Sequence, residues 1–154
     1  MPVSSKLQRR VGRLLAPLAL TLALGTSAVA QTGGWTTLAR VTFTKEYDEL
    51  LGLKVDKPVF AKAVKDLDGE RISLRGYVIP TEGYKSHTEF VFSAYPYSMC
   101  FFCGGAGPET VVEVYAAEPI DYSPDAITLS GRLVLNADDP NALMYRLEDA
   151  ALAE

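Results

Sequence analysis

The chain is poor in the side chains that most often carry catalysis or bind metals. Its 154 residues include one histidine, His87, and two cysteines, Cys100 and Cys103. A catalytic triad needs a histidine beside a nucleophile, and a single histidine leaves no plausible pair. The sequence also lacks a Gly-x-Ser-x-Gly elbow, a Walker loop and a dinucleotide-binding fingerprint. These absences argue against a hydrolase or a kinase and favour a protein that is not an enzyme.

A long apolar run is missing as well. The apolar stretch near the N-terminus runs only from Leu14 to Leu24 and is broken by Pro17, whereas a membrane span needs about 20 apolar residues. A basic segment precedes it and the small-residue triplet Ala28-Val29-Ala30 follows it, which is the order of a secretory signal peptide. The basic residues are Lys6, Arg9, Arg10 and Arg13. We therefore expect residues 1–30 to be a cleaved signal peptide of a periplasmic or secreted bacterial protein without a stable membrane span.

Positive charge is scarce in the rest of the chain. Four of the 15 basic residues lie in the predicted signal peptide, whereas all 19 acidic residues lie after it. Residues 31–154 therefore contain eleven basic and nineteen acidic residues, and their net charge is −8. An acidic domain repels phosphate backbones, which argues against nucleic-acid binding. We expect residues 31–34 to form a flexible leader and residues 35–154 to form a single domain.

Five segments from residue 71 onward have the alternation of apolar and polar residues that is typical of β strands. They are Arg71–Ile79, Glu89–Ala94, Thr110–Ala116, Ile127–Leu135 and a last run through Leu143, Tyr145 and Leu147, for which a helix through Ala151 is the alternative. Earlier in the chain, Trp35–Tyr47 also alternates and predicts a strand. Asp56-Lys57-Pro58 resembles a helix start, and the apolar spacing that follows predicts a helix that ends at Asp68-Gly69.

Two glycines occupy inward positions of the predicted strands, Gly76 and Gly131. Glycine weakens a strand interior but allows the sharp bend that a small barrel requires. We therefore predict a mainly β domain with one short helix, folded as a five-stranded antiparallel barrel of the oligonucleotide/oligosaccharide-binding (OB) type. A β-sandwich is the alternative.

Both cysteines lie in one short segment, Cys100-Phe101-Phe102-Cys103-Gly104. Two thiolates three positions apart can hold one tetrahedral ion, and the glycine lets the backbone curl so that amides point at sulfur. A disulfide is chemically easy in an oxidising compartment. A catalytic redox pair is less favoured, because such pairs usually begin a helix and Gly-Gly-Ala-Gly-Pro will not hold one.

A zinc site needs further ligands, and the strand order suggests carboxylates. In an antiparallel meander the loop after the second strand lies beside the start of the first, so we expect acidic side chains near the thiols. The candidates are Asp66, Asp68, Glu70, Glu109, Asp138 and Asp139. His87 is a weaker candidate, since seven residues of strand span roughly 23 Å. The neighbouring Tyr95, Tyr97, Phe101 and Phe102 are expected to anchor the loop on the barrel, with an exposed aromatic lip as the alternative.

Three segments in order, Gly76-Tyr77-Val78-Ile79-Pro80, Cys100-Phe101-Phe102-Cys103-Gly104 and Ser130-Gly131-Arg132-Leu133, resemble a widespread family of exported bacterial proteins of unknown function. The likeness covers roughly residues 35–148. It implies a small OB-type barrel. Some members are encoded beside metal-responsive ABC-type transport genes, so it also implies an accessory role in handling zinc or another metal, with Cys100 and Cys103 as the functional positions.

Three hypotheses follow for the function. The first is a periplasmic metal-binding accessory protein that resembles a metallochaperone, holds zinc between Cys100 and Cys103, and serves an envelope protein or an ABC-type transport component. The second is a thiol-disulfide protein. The third is a non-enzymatic interaction module of the envelope, in which the cysteine loop is structural and no cofactor is bound.

Overall fold

The structure is a computed structural model that describes residues 34–49, 52–79 and 86–153. The predicted signal peptide and residues 31–33 of the predicted leader lie outside these residues. Gly34, the last residue of the predicted leader, is the first residue of a helix.

Two short helices and seven strands make up the regular structure of the residues that the structure describes. They are α1 (Gly34–Leu38), β1 (Val41–Asp48), β2 (Leu53–Phe60), α2 (Lys62–Lys65), β3 (Arg71–Ile79), β4 (His87–Ser93), β5 (Val111–Ile120), β6 (Ile127–Leu135) and β7 (Tyr145–Leu152). Three single 3-10 turns, Tyr97–Met99, Phe101–Cys103 and Pro108–Thr110, lie between β4 and β5. None of the helices in the described part of the chain is long and apolar enough to cross a membrane.

Strands β3 to β7 close into a barrel in the order β3-β4-β5-β7-β6. This confirms the predicted mainly β class and the small closed barrel, and it rules out the alternative β-sandwich. The expectation of an entirely antiparallel barrel was wrong in one detail, since β5 and β7 pair in parallel. A closed ring with an odd number of strands cannot alternate direction at every step, so at least one pair must be parallel.

The barrel interior is filled from alternate positions of its strands. Leu74 and Val78 from β3, Phe92 from β4, and Leu129 and Leu133 from β6 are buried in one apolar cluster. The two predicted inward glycines are sites of close approach. A Cβ atom on Gly76 would collide with the carbonyl oxygen of Ser93, and one on Gly131 would lie 2.6 Å from the Leu147 side chain.

The N-terminal third differs from the prediction. Trp35–Leu38 belongs to α1, so the predicted strand is confirmed only from Val41 onward. The helix expected to begin at Asp56-Lys57-Pro58 is wrong there, because those residues continue β2 as far as Phe60. Proline fits because a two-stranded sheet consists of edge strands, in which a missing N–H is tolerated. The helix that follows, α2, has four residues, and Gly69 adopts the expected left-handed conformation with φ of 81°.

Strands β1 and β2 form a separate two-stranded hairpin. Its ladder runs from Val41 opposite Phe60 to Asp48 opposite Leu53. The last predicted run is a strand, β7, so the helical alternative through Ala151 was wrong.

Candidate functional site

The cysteine loop, residues 95–110, connects β4 to β5 and is folded by backbone hydrogen bonds. The amides of Cys103 and Gly105 both donate to the carbonyl oxygen of Cys100, at 3.1 and 3.3 Å, and the amide of Gly104 donates to Phe101 at 2.9 Å. Gly104 has a φ of 76°, which favours glycine, and a Cβ atom on Gly105 would lie 2.7 Å from the Met99 carbonyl oxygen. Glycine is therefore needed to curl the loop, as the sequence indicated. The three amides bind carbonyl oxygens, however, and not sulfur.

The two thiols are free, and they differ in environment. Cys100 is fully buried, whereas Cys103 is exposed. The pKa of the Cys103 thiol lies above its usual value. Desolvation is the main cause, followed by the interaction with the nearby Cys100 side chain, and both disfavour the thiolate. The two sulfurs are thus neighbours in the loop and are not joined by a bond.

Most of the candidate carboxylates are engaged elsewhere. Asp66 accepts a hydrogen bond from Lys62 at 2.7 Å, and Asp68 accepts one from the backbone amide of Leu135 at 3.0 Å. Asp138 pairs with Lys57 at 3.0 Å, and Asp139 accepts the amide of Asn141 at 2.9 Å.

The other two acidic candidates, Glu70 and Glu109, make different interactions. The backbone carbonyl of Glu70 accepts the amide of Leu133 at 2.9 Å. The charge of Glu109 acts on the buried Tyr145 hydroxyl, whose pKa is raised mainly by burial and secondarily by that charge. In residues 34–49, 52–79 and 86–153, no three histidine, cysteine or acidic side chains come together as a potential metal site.

His87 begins β4 on the barrel wall, where it pairs with Ile120 of β5. It lines a cleft of about 460 Å³ together with Glu89, Glu113 and Tyr115, and no residue of the cysteine loop lines that cleft. His87 and the cysteine loop therefore lie at opposite ends of the β4–β5 ladder, since the loop joins Ser93 to Val111.

Aromatic side chains surround the thiols, and most of them face solvent. Tyr97 and Phe102 are 60% and 55% exposed, and Tyr95 and Met99 are also exposed. Phe101 is half-buried and packs edge-to-face on Phe102 with 5.3 Å between ring centroids. The expectation that these rings anchor the loop was wrong for Tyr97 and Phe102, which form an exposed aromatic rim.

A larger cleft, the hairpin cleft, opens between the β1–β2 hairpin, the β6–β7 loop and the cysteine loop. Its volume is about 530 Å³. The apolar and aromatic side chains in its lining are Phe43, Tyr47, Val55, Pro58, Phe101, Pro108, Ala137, Pro140, Ala142, Leu143 and Met144, and the charged ones are Glu46, Asp48, Asp56, Lys57, Asp138 and Asp139. The sequence did not reveal this cleft because residues 56–60 were predicted to be helical.

Comparison with known proteins identifies one partial likeness. A crystal structure of a DUF3299 family protein from Pseudomonas aeruginosa PAO1, determined at 2.45 Å, is 24% identical, with a TM-score of 0.45 over 63% of this chain and 68% of that one. No family model matches the chain. No curated protein matches it either.

Proposed function

We propose that the protein is an exported accessory protein that binds zinc between Cys100 and Cys103 and delivers it to an envelope protein or an ABC-type transport component. The observation that carries the proposal is a pair of neighbouring free thiols in one curled loop, Cys100 buried and Cys103 exposed. Thiolate is a strong ligand for zinc, and the exposed member of the pair gives an ion access to the loop.

The donor set suits a transferable ion better than a permanent one. A structural zinc site is closed by four protein ligands, and the described residues offer no group of three or more donors. Two thiolates leave coordination positions open, which a partner's side chains can fill during transfer. The exposure of Cys103 and of the aromatic rim gives such a partner access to the ion.

The thiol-disulfide hypothesis has less support. A nucleophilic cysteine of that class is exposed and has a depressed pKa. Cys103 is the exposed thiol of the pair, and its pKa is shifted in the opposite direction. A raised pKa does not prevent zinc binding, because the ion displaces the proton when it binds.

Zinc titration of the reduced protein against a chromophoric chelator tests the proposal. We expect one zinc ion per chain, and no such binding by the Cys100→Ser/Cys103→Ser double variant. His87→Gln is the matched control, since it removes the only histidine and should leave the affinity unchanged. Absence of zinc binding by reduced protein, or equal binding by the double variant, would contradict the proposal.

The pH dependence of binding provides a second measure of the same site. Zinc displaces a proton from each thiol, and the raised pKa of Cys103 keeps that thiol protonated at neutral pH. The affinity should therefore increase with pH, by up to about tenfold per pH unit for each proton released. Free thiols are protonated between about pH 6 and pH 8. If the zinc affinity did not change with pH in this range, the ion would be bound elsewhere.

A further inference from the structure

We propose that the hairpin cleft binds an extended segment of another protein in which basic side chains alternate with aliphatic ones. The proposal concerns peptide recognition and holds whether or not the cysteine loop carries an ion. It rests on the shape of the cleft, on its charge and on the exposed hairpin that forms one wall.

The cleft has the size and the lining of a binding site. Its volume of about 530 Å³ accommodates several side chains, within the range of about 300–1,000 Å³ that is typical of ligand sites. Three separate chain segments contribute apolar walls: Phe43 and Tyr47 come from the hairpin, Phe101 comes from the cysteine loop, and Leu143 and Met144 precede β7. Such a surface suits aliphatic side chains.

The charge of the lining selects a cationic occupant. Five of the lining residues are acidic, Glu46, Asp48, Asp56, Asp138 and Asp139, and Lys57 is the one basic residue among them. An excess of carboxylates around an apolar floor attracts cations and repels anions. Nucleic acids, acidic peptides and anionic lipid surfaces are therefore disfavoured in this cleft.

Lys57 illustrates how the cleft holds a basic group. Its ammonium group lies 3.1 Å from Glu46 on the hairpin and 3.0 Å from Asp138 in the β6–β7 loop. These hydrogen bonds, first with Asp138 and then with Glu46, raise the pKa of Lys57. One lysine thus bridges the two walls.

Two other carboxylates of the lining also have partners, since Asp56 pairs with Lys45 at 3.0 Å and Asp139 accepts the Asn141 amide at 2.9 Å. A basic side chain of a bound segment would therefore share these exposed carboxylates with their present partners.

The exposed hairpin favours a protein segment over a small molecule. Two hairpin side chains of the cleft lining, Phe43 and Tyr47, are 41% and 63% exposed. An isolated two-stranded hairpin is only marginally stable in water, so a bound chain that covers these side chains would stabilise it. The cleft also adjoins the cysteine loop through Phe101, so that a bound segment can extend past a single pocket.

Fluorescence anisotropy with labelled peptides tests the proposal on the full-length protein. The probe is an eight-residue peptide of alternating arginine and leucine. One control replaces arginine with glutamate, and the other replaces leucine with serine. We expect each control to bind at least about tenfold more weakly, because both charge and apolar contact contribute to affinity. Equal binding of the arginine-serine peptide would show general charge attraction, and it would overturn the proposal.

A small organic cation is the other occupant to distinguish. Benzyltrimethylammonium combines a positive charge with an aromatic body and can interact with the aromatic lining. If it displaces the arginine-leucine peptide at equal concentration, the cleft is a small-molecule site and the proposal is wrong. We expect no displacement at a concentration equal to that of the peptide.

Variants locate the binding in the cleft. Tyr47→Thr keeps a strand-forming residue and removes an exposed ring, and it should weaken binding of the arginine-leucine peptide by about fivefold or more. Lys57→Met removes the competing cation and should strengthen binding a few-fold. Tyr115→Thr is the control, because Tyr115 is another exposed strand tyrosine, 39% exposed against 63% for Tyr47, and it does not line the cleft. Circular dichroism confirms that each variant is folded.

Repeating the peptide-binding measurements in the Cys100→Ser/Cys103→Ser background tests whether peptide binding is independent of zinc binding. Unchanged peptide affinity in that background, with no zinc binding, would separate the two sites. The proposal is overturned if Tyr47→Thr and Tyr115→Thr bind equally well, or if Lys57→Met weakens the complex.

Discussion

The barrel and the hairpin are both β structure, yet they bury their side chains to very different extents. In β6, Leu129, Gly131 and Leu133 alternate with less buried neighbours and point into the core. Across the 8 residues of β1 and the 8 residues of β2, Phe60 is the only buried one. Backbone pairing is therefore common to both regions, whereas removal of apolar surface from water, the main stabilising contribution to folding, belongs to the barrel.

The hairpin is attached to the barrel mainly at its base. There the ring of Phe60 packs 5.6 Å from that of Tyr145 in β7. The hydrogen bond from the Ala61 amide to the Arg40 carbonyl, at 3.0 Å, closes the base of the hairpin itself. Farther along the hairpin, the Lys57–Asp138 ion pair connects β2 to the β6–β7 loop. This contrast explains the cleft: a hairpin that is held at one end and lies away from the barrel wall leaves a space between them.

Alanine substitution of one glycine from each region should give the largest contrast. A Cβ atom at Gly76 meets the backbone of Ser93 in the neighbouring strand, which cannot move without opening the barrel. Gly76→Ala should therefore lower the free energy of unfolding by more than about 3 kcal/mol. At Gly52 in the hairpin turn the Cβ atom meets nothing within 4 Å and only the φ of 66° is unfavourable, so Gly52→Ala should cost about 1 kcal/mol. Urea unfolding of both variants measures the difference.

A pair of leucines tests burial with identical chemistry. Leu129 is fully buried in the barrel, whereas Leu53 is 51% exposed at the start of β2. Leu129→Ala should lower the free energy of unfolding by about 3 kcal/mol, and Leu53→Ala should change it by less than about 0.5 kcal/mol. A comparable loss at Leu53 would mean that the hairpin packs against the barrel more closely than its exposure indicates.

The same contrast determined what could be predicted from the sequence. Buried alternation marks the barrel strands, and the predicted bounds of β3 and β6 match the observed strands. In the hairpin, β1 was predicted from its alternation, but β2 shows no such pattern at its end, where Val59 is exposed and Phe60 is buried. With Ala63, Val64 and Leu67 these residues happen to fall at helical spacing. The apolar spacing was therefore real, but it spanned the end of a strand and a short helix.

The site was predictable only in part, for a related reason. The cysteines and glycines are local in sequence, and the curled loop was correctly expected from them. The surroundings depend on tertiary structure: the hydrogen bond between Asp68 and Leu135 joins residues 67 positions apart. The exposure of Tyr97 and Phe102 could not be deduced either, because an anchoring ring and an exposed ring have the same sequence signature.

A third prediction concerns a buried polar contact that links the barrel to α1. The buried hydroxyl of Tyr145 donates to the carbonyl of Leu38 in α1 at 2.6 Å. Tyr145→Phe should lower the free energy of unfolding by about 1 kcal/mol at neutral pH, because a buried carbonyl loses its partner. Tyr115→Phe, at an exposed ring on β5, is the control and should have little effect.

The pH dependence of that difference has a definite sign. Burial raises the pKa of Tyr145 in the folded protein above the value of about 10 in the unfolded chain. Ionisation of the unfolded chain then favours unfolding as the pH rises past about 10. The advantage of the wild type over Tyr145→Phe should therefore be constant below pH 10 and shrink above it. A difference that grows at high pH would contradict the assignment.

The smallest expected effect is in hydrogen exchange of the hairpin. Amides of a region with few buried contacts exchange through local opening, whereas core amides need global unfolding. Amides of β1 and β2 should therefore exchange much faster than those of β6, with little dependence on low denaturant concentrations.

Lys57→Gln removes the pair with Asp138 and should accelerate hairpin exchange by about two- to fivefold, without affecting β6. Lys62→Gln is the matched control, because Lys62 pairs with Asp66 in and beside α2 and should leave hairpin exchange unchanged. Hairpin amides that are as protected as those of β6 would show that the two regions unfold together, and the cleft between them would then be a rigid feature of the barrel.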